Sequence, residues 1–130
     1  MNRMRISLGF VCIAIVLLSG CGVETVTLTR DDGGCIESVG LGALISIRLD
    51  GNASTGYAWT RVTPEIVPGL PIEILQEGAY ITDTGIPGSP GVYAFDYHAM
   101  QRGTITLGFA YKRPWEESAI DAYTVTIWVQ

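Results

Sequence analysis

The sequence has few of the side chains that build catalytic and metal centres. It contains one histidine, His98, and three cysteines, and these residues form no cluster with metal-ligand spacing. The neighbouring carboxylates Asp31 and Asp32 precede two glycines, a pattern typical of a turn. These absences argue against an enzyme and indicate neither a metal ion nor a cofactor.

Basic residues are also scarce. The chain has eight Lys and Arg residues against thirteen Asp and Glu residues, and two of the basic ones, Arg3 and Arg5, lie at its start. Without those two arginines the net charge is −7. An acidic surface with mixed charges gives no basic patch for nucleic acid, which excludes nucleic acid as an expected partner.

One long apolar run stands at the front of the chain. It extends from Ile6 to Leu18 without a charge and ends in the sequence Leu18-Ser19-Gly20-Cys21. A basic start, a short apolar run and small residues before a cleavage point indicate a secretory signal rather than a spanning helix. Small residues directly before a cysteine also resemble the bacterial lipobox, in which that cysteine receives a diacylglyceryl group.

We therefore predict a lipoprotein signal peptide over residues 1–20 and a single mature domain over residues 21–130. The protein is expected to be exported and held on the cell envelope by a lipid on Cys21. Gly22 stands where an Asp would favour the inner membrane, so the outer membrane is expected if the host has one. The alternative is a plain secretory signal that ends at a cysteine by coincidence.

Cys35 is the cysteine that remains once Cys12 leaves with the signal and Cys21 carries lipid. We expect no internal disulfide on this basis. A nucleophilic Cys35 would need a neighbouring base to lower the pKa of its thiol, and nothing in the sequence places His98 beside it. A semi-buried structural cysteine is the preferred interpretation, so the core of about 110 residues must hold the fold alone.

Alternation of apolar and polar residues, rather than a helical period, follows the signal. The strongest runs cover residues 43–49, 104–112 and 123–129, and weaker ones cover 24–30, 34–39, 57–62, 72–76 and 92–98. Pro64, Pro68 and Pro71 predict an irregular connection in the middle. Seven to eight half-buried strands separated by turns predict an all-β, antiparallel β-sandwich, which sequence alone does not distinguish from a small barrel.

Three segments in the gaps between predicted strands combine Gly or Pro with small polar or aromatic side chains. They are Asn52-Ala53-Ser54-Thr55-Gly56-Tyr57, Gly88-Ser89-Pro90-Gly91 and Arg113-Pro114-Trp115. Taken singly, the first two are typical of ordinary turns. Trp115 should be exposed, as binding hot spots often are, although it could fold back to cap the sandwich. Connections of this kind gather at one end of a sandwich, which favours a recognition surface.

The three segments, in this order, resemble the loop signatures of the chagasin family of cysteine-peptidase inhibitors. The family carries Asn-Pro-Thr-Thr-Gly-Tyr or Phe with a Trp close behind, here Trp59, then a Gly-rich loop, then Arg-Pro-Trp. The resemblance covers roughly residues 24–130. It implies an immunoglobulin-like β-sandwich that acts as a monomer, binds no cofactor, and inhibits papain-like cysteine peptidases reversibly and without a covalent bond.

The same resemblance implies a role for each segment. The first would cover the peptidase nucleophile, and the other two would bind the two sides of the cleft. The implied contact residues are Asn52, Ser54, Thr55, Gly56, Tyr57, Gly88, Ser89, Pro90, Gly91, Arg113, Pro114 and Trp115. Ala53 departs from the family's Pro, which predicts weaker inhibition. It also favours the alternative, a lipid-anchored immunoglobulin-like module with a different cell-envelope partner.

Overall fold

Two packed β-sheets form the part of the chain that the computed structural model describes, residues 15–17, 23–82 and 85–130. Its strands are β1 Ile15–Leu17, β2 Thr25–Leu28, β3 Ile36–Val39, β4 Leu44–Gly51, β5 Ala58–Thr63, β6 Ile72–Ile81, β7 Gly91–Ala99, β8 Gly103–Lys112 and β9 Asp121–Val129. One sheet has the order β1-β2-β4-β7-β6 and the other β3-β9-β8-β5. The predicted all-β sandwich is confirmed. None of the described residues forms a helix that could span a membrane.

The core follows from the alternation in the strands. Ile45, Ile47 and Leu49 of β4 are fully buried, and so are Leu107 of β8 and Ile127 of β9. Each such side chain contributes about 1.5–3 kcal/mol when it leaves water. The inward faces of the two sheets therefore supply the main stabilisation of the described fold.

Two strand pairs differ from the antiparallel arrangement that we predicted. β2 runs parallel to β4, and β3 runs parallel to β9, while the other five recorded pairs are antiparallel. Alternation shows which face of a strand is buried, but it does not show the direction of the neighbouring strand. β6 also continues to Ile81, five residues beyond the prediction, because an edge strand with most side chains exposed lacks clear alternation.

The expectation of no internal disulfide is wrong in this structure. Cys35 is disulfide-bonded, and its partner lies outside the described residues. The sequence contains enough cysteines for one bridge, but their spacing does not reveal which sulfurs meet. The predicted signal peptide and Cys21 likewise fall outside the described residues, apart from the backbone of β1.

The strand directions create two distinct ends of the sandwich. β4, β6 and β8 all end at one of them, so the described connecting residues 52–57, 85–90 and 113–120 meet there; we call it the loop pole. The opposite end contains residues 23–24, 40–43, 64–71 and 100–102, and we call it the anchor pole. β4 spans eight residues, which separates the poles by about 26 Å at 3.3 Å per residue.

Candidate functional site

The first loop, residues 52–57, lies at the centre of the loop pole and contains a 3-10 turn over Ala53–Thr55. Asn52 is extended and caps this turn, because its Oδ1 accepts hydrogen bonds from Ser54 N at 3.0 Å and Ser54 Oγ at 2.6 Å. Thr55 Oγ1 donates to Asn52 O at 2.7 Å. Gly56 ends the turn with a φ of +87°, a left-handed conformation that suits glycine. The turn within this loop is therefore shaped by hydrogen bonds and backbone conformations of its own residues.

The third loop, residues 113–120, packs against the first. Arg113 Nε donates to Thr55 O at 3.0 Å, and its guanidinium carbon lies 4.2 Å from the centre of the Tyr57 ring. A Cβ added to Gly56 would lie 3.2 Å from Trp115 Cη2. The hydrogen bond from Arg113 thus joins the first and third loops, and the lack of a side chain at Gly56 leaves room for the Trp115 ring beside the first loop.

The second loop, described over residues 85–90, is joined to the other side of the first loop. Asn52 Nδ2 donates to Gly88 O at 3.0 Å, while Ser89 N donates to Ile86 O at 3.1 Å within the turn. Tyr80 of β6 donates its hydroxyl hydrogen to Ser89 O at 3.1 Å. Asn52 is consequently both the cap of the first loop and the bond between two loops.

A layer of aromatic side chains supports the loops from below. The Tyr111 ring stacks on Tyr57 and on Trp59, with centroids 5.4 and 5.0 Å apart, and its hydroxyl oxygen accepts from Asn52 N at 3.1 Å. Tyr93 donates to Tyr57 O at 2.9 Å, and burial raises the pKa of the Tyr93 hydroxyl. Tyr80 packs on Tyr93 at 4.8 Å. The hydroxyls of this layer bind backbone atoms of the first loop, at Asn52 and Tyr57, and of the second loop, at Ser89.

The roles of Tyr80, Tyr93 and Tyr111 in positioning the loops were not predicted from the sequence. The sequence does contain a signal for them, since each lies within two residues of a strand end at the loop pole. Alternation identifies a tyrosine near a strand end as a core residue. It does not show that the hydroxyl reaches a loop carbonyl or amide.

Trp115 is largely exposed to solvent, as predicted. Its side chain is 73% exposed, so it does not fold back over the sandwich. The adjacent Arg113 is partly buried, and its guanidinium nitrogen lies 3.6 Å from Glu116 Oε2. Lys112 Nζ donates to Glu116 O at 3.1 Å, which further orders the loop that presents Trp115.

The structure brings all twelve predicted contact residues to the loop pole. His98 is not among them: its Nδ1 lies 3.2 Å from Glu73 Oε2, on strands β7 and β6 near the anchor pole. Across the described ranges, no three His, Cys, Asp or Glu side chains group as metal ligands. Beside the loops, Arg30 lies 5.2 Å over the Trp59 ring and hydrogen-bonds Asp121 at 2.6 Å, which lowers the pKa of that carboxyl.

Comparison with known proteins agrees with this geometry. The chagasin family peptidase inhibitor I42 profile matches residues 38–127, which include all three loops. Amoebiasin-1 of Entamoeba histolytica is 31% identical over 108 residues, covering 80% of this chain and 99% of that protein. Chagasin of Trypanosoma cruzi is 26% identical over 105 residues, covering 79% of this chain and 94% of chagasin.

Two solved structures share the fold. The solution structure of amebosin aligns with a TM-score of 0.65 at 30% identity, over 84% of this chain and all of amebosin. The crystal structure of a cysteine protease inhibitor from Entamoeba histolytica aligns with a TM-score of 0.68 at 23% identity, over 82% of this chain and 95% of that one. The order of the motifs, the joined loops and the profile match lead to one conclusion: the chain belongs to the chagasin family of cysteine-peptidase inhibitors and is not an enzyme.

Proposed function

We propose that this chain inhibits papain-like cysteine peptidases reversibly and without a covalent bond, by inserting the loop pole into the active-site cleft. The observation that carries this proposal is the joining of three loops into one ridge by Asn52 and Arg113. Loops that are ordered before binding lose little conformational entropy when they enter a cleft. A preformed ridge of this kind suits a narrow binding partner.

The first loop occupies the place nearest the peptidase nucleophile in this proposal. Ser54 and Thr55 are exposed and small, so they fit a narrow cleft. Their backbone is folded into a 3-10 turn, with Asn52 O and Thr55 O already accepting hydrogen bonds. Such a turn does not offer the extended backbone that a substrate would present, which explains how the loop is bound without being cleaved.

The other two loops bind the sides of the cleft. Trp115 supplies a large exposed apolar surface, which is worth about 2 kcal/mol or more at a good hot spot. The segment from Gly88 of the second loop to Gly91, where β7 begins, has short or rigid side chains, so its backbone can approach the partner closely. The ridge thus combines one aromatic contact with polar backbone contacts.

Ala53 is the residue in this ridge that departs from the family's motif. It is exposed and is the first residue of the 3-10 turn, where an N–H has no partner within the turn and proline is favourable. Asn52, with φ −141° and ψ 103°, has the extended backbone that a following proline favours. With alanine at this position the free loop is more flexible. It loses more conformational entropy on binding, which supports weaker inhibition.

Titration of papain and of a cathepsin L-type peptidase tests the proposal. A soluble form that begins at Gly22 is added to each enzyme with a fluorogenic peptide, after near-UV circular dichroism has shown that the form is folded. We expect competitive inhibition and no cleavage of the inhibitor after long incubation. A folded protein that leaves both peptidases fully active at micromolar concentration would show that the loops serve a different partner.

We further propose that the inhibitor is a lipoprotein of the cell envelope, with residues 1–20 removed and Cys21 lipidated, at the outer membrane if the host has one. The basic start, the apolar run and the small residues before Cys21 support this proposal. Removal of residues 1–20 would also remove β1, leaving β2 as an edge strand.

In the mature protein, lipidation of Cys21 and a disulfide of Cys35 exclude each other, because Cys21 would be needed for both. The other two cysteines are Cys12, which leaves with the signal, and Cys21, whose sulfur would carry the lipid. Mass spectrometry of the N-terminal peptide from membrane fractions distinguishes them. A diacylglyceryl group on Cys21 supports the anchor, whereas a peptide that joins Cys21 to Cys35 contradicts it.

A further inference from the structure

A group of exposed apolar side chains lies at the anchor pole, at the end opposite the inhibitory ridge, in addition to those of the loop pole. Val23, Leu41, Leu44 and Met100 are each between 36% and 51% exposed. Gly42 N donates to Ala99 O at 2.9 Å, which places the turn that carries Leu41 beside the residue before Met100. These side chains belong to one end of the sandwich rather than to scattered surface positions.

Further exposed apolar side chains lie at the same pole, on the other sheet and on the β5–β6 connection. Met100 also lines an open groove of about 450 Å³ together with Ile66, Val67 and Leu70 of the β5–β6 connection. Trp128, which is 46% exposed, lies on β9 one residue before that strand ends at this pole. Tryptophan at the edge of an apolar surface is typical of membrane interfaces, where its ring meets both acyl chains and water.

The start of the domain lies beside this surface. Leu44 N donates to Glu24 O at 2.8 Å and Gly40 N donates to Glu24 Oε1 at 3.0 Å, so the N-terminal end of β2 is fixed at the anchor pole. Cys21 precedes Val23 by two residues, and an extended chain spans at most about 3.6 Å per residue. A lipid on Cys21 therefore lies within about 7 Å of Val23 along the chain.

We infer that the anchor pole rests on the bilayer that holds the lipid of Cys21, with Leu41, Leu44, Met100 and Trp128 at the level of the headgroups. This inference depends on the lipid anchor proposed above. The contact is apolar rather than electrostatic. The pole carries the acidic residues Glu24, Glu65 and Glu73 beside the basic Arg102, so it has no basic patch that would attract anionic headgroups. The ridge then faces the aqueous phase, about 26 Å from the membrane-facing end.

Fluorescence quenching by lipid tests this orientation. The full sequence is expressed in a host that processes lipoproteins, and the lipidated mature protein is incorporated into vesicles of phosphatidylcholine brominated near the headgroup. The chain has three tryptophans, of which Trp59 is buried and Trp115 is at the loop pole. We expect quenching to fall about two-fold or more in Trp128→Phe and to keep its amplitude in Trp115→Phe.

A second pair of variants tests the apolar contact itself. Leu41→Asp places a charge on the surface in contact with lipid and should reduce quenching about two-fold, whereas Ile120→Asp, at a 60% exposed site of the loop pole, should not. Raising the salt concentration should leave quenching unchanged, since the contact is apolar. Both positions are exposed, so neither change disturbs the core.

The outcomes separate this inference from the proposal on which it depends. Protein that floats with the vesicles and loses quenching only when Trp128 or Leu41 is changed supports both. Protein that floats with the vesicles but shows no quenching through Trp128 retains the anchor and overturns the orientation. Protein that does not float with the vesicles overturns the anchor and the orientation together.

Discussion

At the loop pole, side chains of Asn52, Arg113 and Tyr111 bind the backbone of the connections, whereas at the anchor pole most recorded bonds join backbone to backbone. The anchor pole is fixed by pairs such as Gly42 N to Ala99 O and Met100 N to Pro71 O. Backbone bonds survive most substitutions, but a side-chain bond is lost with its residue. The comparison teaches that the geometry of the loop pole depends directly on the identity of a few residues.

The largest expected effect comes from Trp115 at the loop pole, and Trp128, the exposed tryptophan near the anchor pole, is its control. Trp115→Ala should raise the inhibition constant for papain about 30-fold or more, because a hot-spot tryptophan contributes about 2 kcal/mol. Trp128→Ala in the same soluble form should leave that constant unchanged. Titration with a fluorogenic substrate measures both, and an equal effect of the two changes would remove the functional distinction between the poles.

Asn52→Ala tests the side-chain bonds of the loop pole. It removes the cap of the 3-10 turn and the bond to Gly88 O, and a lost cap costs about 1 kcal/mol or more. We expect the inhibition constant to rise about 10-fold. Gln101→Ala is the matched control, since Gln101 donates its side-chain amide to Gly69 O at the anchor pole. Inhibition that is equally weak in both variants would point to general destabilisation.

Two glycines with left-handed backbone allow the next test. Gly56→Ala and Gly69→Ala should each lower the free energy of unfolding by about 1 kcal/mol, because φ is +87° at Gly56 and +98° at Gly69. The new Cβ meets Trp115 only at Gly56. The inhibition constant should therefore rise about five-fold for Gly56→Ala and stay constant for Gly69→Ala. Denaturant unfolding measures the backbone strain that both variants share. Peptidase titration measures the displacement of Trp115, which is expected only in Gly56→Ala.

The smallest expected effect is a gain. Ala53→Pro should lower the inhibition constant about two- to five-fold, because restricting the free loop saves about 0.4–1 kcal/mol of backbone entropy. Thermal unfolding should show no loss of stability, since the first position of the turn accepts proline. An inhibition constant that stays the same or increases in a fully folded variant would contradict the role given to loop stiffness.

The sequence was sufficient to predict most of the fold. Alternation in β4, β8 and β9 placed residues such as Ile47 and Phe109 in the core, and the breaks between strands located the loops. It could not predict that β2 and β3 have parallel neighbours, because burial on one face is independent of strand direction. It also missed the end of β6, where Gly78 has a φ of +80° within an irregular pairing.

The composition of the candidate site was predicted, but its internal bonds were not. Glycine, proline and Trp115 in strand gaps indicated exposed loops that meet at one pole. The bond from Asn52 to Gly88 joins positions 36 residues apart, and the bond from Arg113 to Thr55 joins positions 58 apart. Such pairs depend on how the sheets bring the strand ends together, which no local pattern contains.

The acceptors at the loop pole have a consequence for how such an inhibitor could change over evolution. Gly88 O, Ser89 O, Thr55 O and Tyr57 O are all backbone atoms, and every residue possesses such an oxygen. Outward-facing side chains at the tips can therefore be exchanged to match a new peptidase while the ridge keeps its shape. Within the same loops, side-chain atoms can thus change with the target, while backbone atoms preserve the architecture.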